Sequence, residues 1–161
     1  QRTLDVVFPP WRLGSDYHGQ IKTMSEEVRT RIGTVRLGYL NRAFDRSNVV
    51  VLPTFFNGKP VTILSCRRKM SEGEFLKCSL ALGHGAANCS LVIRANGRDV
   101  HRMVLEEAGR WYDFDIDLSK WKDKTPRVDI EMLSNREEDQ GVGVRNNNAF
   151  INIQRLEFGM K

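Results

Sequence analysis

The sequence predicts an all-β fold, an antiparallel sandwich, on three observations. Apolar and polar residues alternate with period two through most of the second half of the chain. Turn signals built on Gly, Asn and Pro recur every ~8–12 residues, the spacing of sandwiches and barrels. No apolar periodicity of 3.6 runs for three helical turns. The 161 residues suit one domain spanning 1–161 with its own core.

In chain order, Leu4 to Phe8 reads as a strand that Pro9-Pro10 stops. Trp11 to Gly19 reads as a loop rich in turn formers and aromatics. Met24 to Ile32 fits two readings. One is a helical turn capped by Ser25 with Glu26-Glu27 behind it. The other is a strand leading into Thr34 to Leu40, where Val35, Leu37 and Tyr39 alternate. Val49 to Leu52, the longest apolar run, is a strand ended by Pro53. Asn57-Gly58 marks a tight turn before a strand from Val61 to Cys66.

Phe75 to Leu82 places Leu76, Cys78, Leu80 and Leu82 on one face. Cys89 to Ala95 does the same with Cys89, Leu91, Ile93 and Ala95. The loop Gly83 to Asn88 between them predicts a hairpin. Asn96-Gly97 is a second tight turn, followed by a strand from Val100 to Leu105. Trp111 to Leu118 sets Trp111, Asp113, Asp115 and Asp117 against Tyr112, Phe114, Ile116 and Leu118, so its acidic face meets water. Val128 to Leu133 buries Val128, Ile130 and Met132. After the polar loop Ser134 to Asn148, Ala149 to Phe158 closes the fold.

The charge balance is mild. There are 25 Lys and Arg against 20 Asp and Glu, a net charge of +5. Acids interleave with the bases, and the one dense basic cluster is Arg67-Arg68-Lys69. That pattern argues against nucleic acid as a partner. No stretch nears the ~20 apolar residues of a membrane-spanning helix. Cys66, Cys78 and Cys89 fit no zinc spacing and sit in strand-like runs, so they read as buried thiols, with one disulfide as the alternative. The histidines, His18, His84 and His101, form no metal-binding or catalytic spacing, and no nucleophile elbow or phosphate loop is present.

Four segments carry a family resemblance between Leu52 and Phe158. Cys89 to Arg98 (C-S-L-V-I-R-A-N-G-R) is a strand ending in an Asn-Gly turn. Gly109-Arg110-Trp111 leads into Phe114 to Trp121 (F-D-I-D-L-S-K-W). Asn148 to Glu157 (N-A-F-I-N-I-Q-R-L-E) forms the β-rich end. Together they resemble galactose-binding-like jelly-roll modules appended to secreted planctomycete and verrucomicrobial proteins. Where those modules carry Tyr-Trp-Gly, this chain has Phe150-Ile151-Asn152.

The resemblance implies a jelly-roll sandwich and a non-catalytic carbohydrate-binding or adhesion role in a secreted, periplasmic or cell-envelope protein. The expected partner is a glycan or glycosylated surface. The alternatives are a protein-interaction or structural module and a polysaccharide-active enzyme. No cofactor is expected; the alternative is a structural calcium ion, to which Asp5, Asp16 or Glu157 would contribute an oxygen. The expected ligand site joins Trp11 and Tyr17 of the first loop to Asn135, Arg136, Arg145 and Asn147 of the last. Trp11 would stack on a sugar ring while Arg136 or Arg145 bonds its hydroxyls or an acidic substituent; the alternative for Trp11 is a plug packed under the sandwich edge. Trp111 and Trp121 are expected to pack in the core or at its edge.

Overall fold

The computed structural model describes residues 8–21, 27–30, 33–54, 60–83, 89–134 and 150–161. Its strands are β1 (Arg12–Leu13), β2 (Glu27–Thr30), β3 (Gly33–Arg36), β4 (Leu40–Ala43), β5 (Arg46–Pro53), β6 (Val61–Arg67), β7 (Glu74–Leu82), β8 (Cys89–Ala95), β9 (Arg98–Leu105), β10 (Trp111–Asp117), β11 (Arg127–Ser134) and β12 (Phe150–Met160). One helix, α1, covers Ser15–Ile21, and a single 3-10 turn covers Ser119–Trp121. No helix among the described residues is long and apolar enough to cross a membrane.

Two five-stranded antiparallel sheets form the sandwich. The first has the order β1-β6-β11-β8-β9 and the second β10-β7-β12-β5-β4. A separate hairpin pairs β2 with β3. From β5 to β8 each strand lies in the opposite sheet from the one before it, the winding of a jelly roll.

The alternating faces predicted from sequence become the core. Leu76, Cys78, Leu80 and Leu82 of one sheet meet Cys89, Leu91, Ile93, Val128, Ile130 and Met132 of the other. Burying such side chains contributes roughly 1.5–3 kcal/mol each. All three cysteines are buried thiols and no disulfide links them. Burial pushes the Cys66 thiol up to about 12, which leaves it protonated at neutral pH. Asn96 and Gly97 take φ of 49° and 80°, the paired left-handed conformations of the tight turn read from sequence.

Two expectations are corrected. The β7–β8 segment is a crossover between sheets rather than a hairpin. Both sides of β7 are taken by β10 and β12, and both sides of β8 by β9 and β11. The segment read as a loop at Trp11 to Gly19 turns helical at Ser15, where α1 begins. Tyr17 is buried, and Ile21, four residues on, packs against the core, so one face of this two-turn helix is apolar. Gly14 lets the helix start against β6, since a Cβ there would lie 2.0 Å from the Thr62 carbonyl oxygen.

The Val49 to Leu52 run has a specific cause. Val50 and Leu52 face the main core, while Val49 and Val51 face a second cluster with Val35, Leu37, Ala43 and Phe150. A strand covered on both faces needs apolar residues at every position, not every other one.

Candidate functional site

Of the residues expected to bind ligand, the two that are described, Trp11 and Tyr17, are buried. Trp11 is fully buried and stacks on Phe158, with ring centroids 5.7 Å apart and planes 4° from parallel. Tyr17 is also fully buried. Its hydroxyl donates to the Pro53 carbonyl oxygen, and burial raises its pKa well above the ordinary value. These two aromatics plug one edge of the sandwich and do not form an exposed platform. Asn135, Arg136, Arg145 and Asn147 lie outside the described residues, as does Asp5. Asp16 is exposed on α1, and the Glu157 carboxylate accepts from Arg155 Nε at 2.8 Å. Trp121 packs partly against the core and Trp111 against the second cluster, as expected for both.

A different site emerges from an irregularity in the second sheet. β12 pairs with β5 from Phe150–Pro53 to Ile153–Val50 and no further. On its other side, the register with β7 shifts between Ile153 and Arg155, which makes Gln154 the extra residue of a bulge. On β5, two residues before the last pair with β12, Asn48 takes a left-handed φ of 58°. The strands splay and leave a notch of about 640 Å³. Its apolar lining is Phe8, Pro9, Leu40 and Leu156, and its polar lining is Asn48, Gln154, Arg155 and Glu157.

The end of β5 that no longer pairs with β12 is fastened elsewhere. The β4–β5 turn, with Phe44 and Asp45 at φ 47° and 65°, reaches across to β10. Trp111 Nε1 donates to the Phe44 carbonyl oxygen at 3.0 Å. Arg46 grips Asp113 with both terminal nitrogens, at 2.8 and 2.9 Å. Its guanidinium also sits 4.5 Å from the centroid of the Trp111 ring. The same Arg46 donates to Gln154 Oε1 at 3.0 Å, and Gln154 Nε2 donates to the Ser47 carbonyl oxygen at 3.5 Å. Gln154 therefore couples the notch to this latch. The Arg46 bonds, then one from Ser79, hold the Asp113 carboxyl at about 2, below its ordinary value of 3.8.

Sequence reasoning missed the notch because its makers are ordinary residues. Asp45 and Asn48 are types that tolerate the left-handed backbone, but neither is followed by the glycine that marks a tight turn, and a bulge at Gln154 has no residue-type marker. The alternating aspartates of β10 showed that Asp113 is exposed, but not that an arginine from β5 reaches it.

The chain's likenesses to known proteins are distant. No protein-family model matches the chain, and no curated protein matches it. Among solved structures it is similar to the EclA C-terminal domain, described as a sugar-binding protein, with 16% identity, TM-score 0.47, 92% of this chain and 98% of that one covered. It is similar to the Stig cyclase FisC from Fischerella sp. TAU, with 9% identity, TM-score 0.46, and 93% and 83% covered. A third likeness is to SGBP-B from a complex xyloglucan utilization locus in Bacteroides uniformis, with 13% identity, TM-score 0.33, and 84% and 55% covered.

Proposed function

We propose that this protein is a non-catalytic carbohydrate-binding module of a secreted or envelope protein, and that the notch between β5 and β12 holds the sugar. The observation that carries the reading is the composition of the notch. Its volume falls in the range of small-ligand sites. Pro9, exposed, and Leu40, half-buried, supply apolar surface for the C–H face of a pyranose, over the buried side chains of Phe8 and Leu156. Asn48 and Gln154 supply carboxamides, which both donate and accept, as sugar hydroxyls do. Arg155 and Glu157 add a donor and an acceptor at the rim.

The same lining supports binding without turnover. Among the described residues its one carboxylate, Glu157, is engaged by Arg155. Glycoside hydrolysis normally takes two carboxyl groups facing each other across the bond. Asn135, Arg136, Arg145 and Asn147 belong to the proposal as further hydrogen-bonding groups from the segment between β11 and β12.

The test is a glycan array, with and without calcium, followed by calorimetry on each hit. Asn48→Gly keeps the left-handed backbone available while removing the carboxamide. This variant and Gln154→Ala should each weaken a hit by about three- to ten-fold, the worth of one lost hydrogen bond of about 0.5–1.5 kcal/mol. A blank array with folded protein, or a hit that neither substitution weakens, overturns the assignment.

A further inference from the structure

The basic cluster Arg67-Arg68-Lys69 does not stay alone in the folded chain. Met70, fully buried, anchors it to the turn after β10. Met70 N donates to the Lys124 carbonyl oxygen at 2.9 Å, and Asp123 N donates to the Met70 carbonyl oxygen at 2.9 Å. Met70 and Lys122 form a parallel bridge. Two basic segments, far apart in sequence, thus lie side by side with Lys69, Lys120, Lys122 and Lys124 all exposed.

One pairing within this ridge is unfavourable. Arg67 stands directly opposite Arg127 in the β6–β11 register, and like charges at facing positions destabilise a sheet. Lys122 meets Glu72 at 3.3 Å and Arg127 meets Asp129 at 3.0 Å. Arg67, Lys69, Lys120 and Lys124 meet no carboxylate at ion-pair distance among the described residues. Beside them, Lys124 lies 5.8 Å from the centroid of the half-buried Trp121 ring. The surface therefore offers cations without carboxylate partners beside an aromatic ring that Lys124 partly covers.

We propose that this ridge, formed by residues 67–73 and 118–124, is a second binding surface, and that it takes an acidic polysaccharide bearing carboxylate or sulfate groups. The cations would pair with the anionic substituents while Trp121 contacts the sugar rings. Interleaved Glu72, Asp117 and Asp123 favour this polymer over nucleic acid. Duplex DNA carries a charge every ~1.7 Å and would bring phosphates onto those carboxylates, whereas a polysaccharide with one charge per sugar or fewer can straddle them. The ridge shares no residue with the lining of the notch, so each surface can fail while the other stands.

The experiment measures binding of polygalacturonate and chondroitin sulfate to the whole chain by affinity electrophoresis and calorimetry, with dextran as the neutral control. Wild type should bind the acidic polymers and not dextran, with affinity falling as salt rises. The triple variant Lys69→Gln, Lys120→Gln, Lys124→Gln should lose about ten-fold or more in affinity. A matched triple on and beside β9, Arg98→Gln, Arg102→Gln, Arg110→Gln, should lose less than half as much on a logarithmic scale. All six positions are exposed, and circular dichroism checks that both variants fold. The proposal is overturned by no binding at low salt, by equal losses in the two triples, or by duplex DNA or anionic vesicles binding more tightly than either polysaccharide.

Discussion

Removing Arg46 should unfasten the strand that forms one wall of the notch. The magnitude follows from the contacts. A carboxyl held at about 2 against an ordinary 3.8 corresponds to roughly 2–2.5 kcal/mol in a dry site. The Asp113 side chain is 54% exposed, and solvent screening reduces such a pair to about 1 kcal/mol even with bidentate geometry. The stack on Trp111 adds about 0.5–1 kcal/mol, and the bond to Gln154 adds about 0.5–1 kcal/mol. Arg46→Ala should therefore cost about 2–3 kcal/mol in urea denaturation. Asp113→Asn should cost about 1 kcal/mol, and a double-mutant cycle should give a coupling of about the same size.

The pH dependence has a definite sign. Asp113 has a depressed pKa in the folded state, so its contribution is complete above the unfolded value of 3.8. It is lost as pH falls from there through about 2. The stability gap between wild type and Asp113→Asn should be constant above about pH 5 and should narrow below about pH 4. A coupling of zero at pH 7, or a gap that does not narrow in acid, would refute the latch. Arg46→Ala should also weaken any sugar held in the notch, because Gln154 loses the donor that orients its carboxamide oxygen.

Two further outcomes follow from burial. Trp11→Ala removes a fully buried ring and should cost about 3–5 kcal/mol, read as a fall in the urea midpoint. Sugar affinity per folded molecule should not change, and wild-type stability in this variant would show the ring is not packed as described. His101 stacks on Phe114 at 4.7 Å, and burial lowers its pKa from 6.5. The unfolded chain then binds the proton more readily, so wild type should lose stability as pH falls below about 6.5. His101→Phe keeps an aromatic stack without the proton, and parallel pH profiles for the two proteins would contradict this assignment.

How far the sequence predicts this protein depends on how local each cause is. Period two is set by the pleat of a single strand, so the buried sets Leu76-Cys78-Leu80-Leu82 and Val128-Ile130-Met132 could be read directly. The Asn96-Gly97 turn was equally legible, because its backbone conformation selects those residue types. Sheet membership is not local. Nothing within Gly83 to Asn88 says that β7 and β8 separate, because the decision rests on β10 and β12 competing for the edges of β7. Trp11 shows the same limit from another side. An aromatic after two prolines looks like a surface loop until Phe158, far along the chain, provides the ring that buries it.

The candidate site is less legible still, because it arises where regular pairing stops. One extra residue at Gln154 and one left-handed residue at Asn48 open the notch, and Arg46 with Trp111 and Asp113 prevents the freed strand from closing it. Each element has a bland reading in isolation: a strand glutamine, a strand asparagine, an exposed ion pair. Only the register connects them, since Gln154 both bulges from β12 and accepts from Arg46. A site made of pairing defects is also one that a few substitutions can remove without disturbing the core. For this reason the Arg46 and Gln154 variants, and not core variants, are the informative tests of whether the notch binds a ligand.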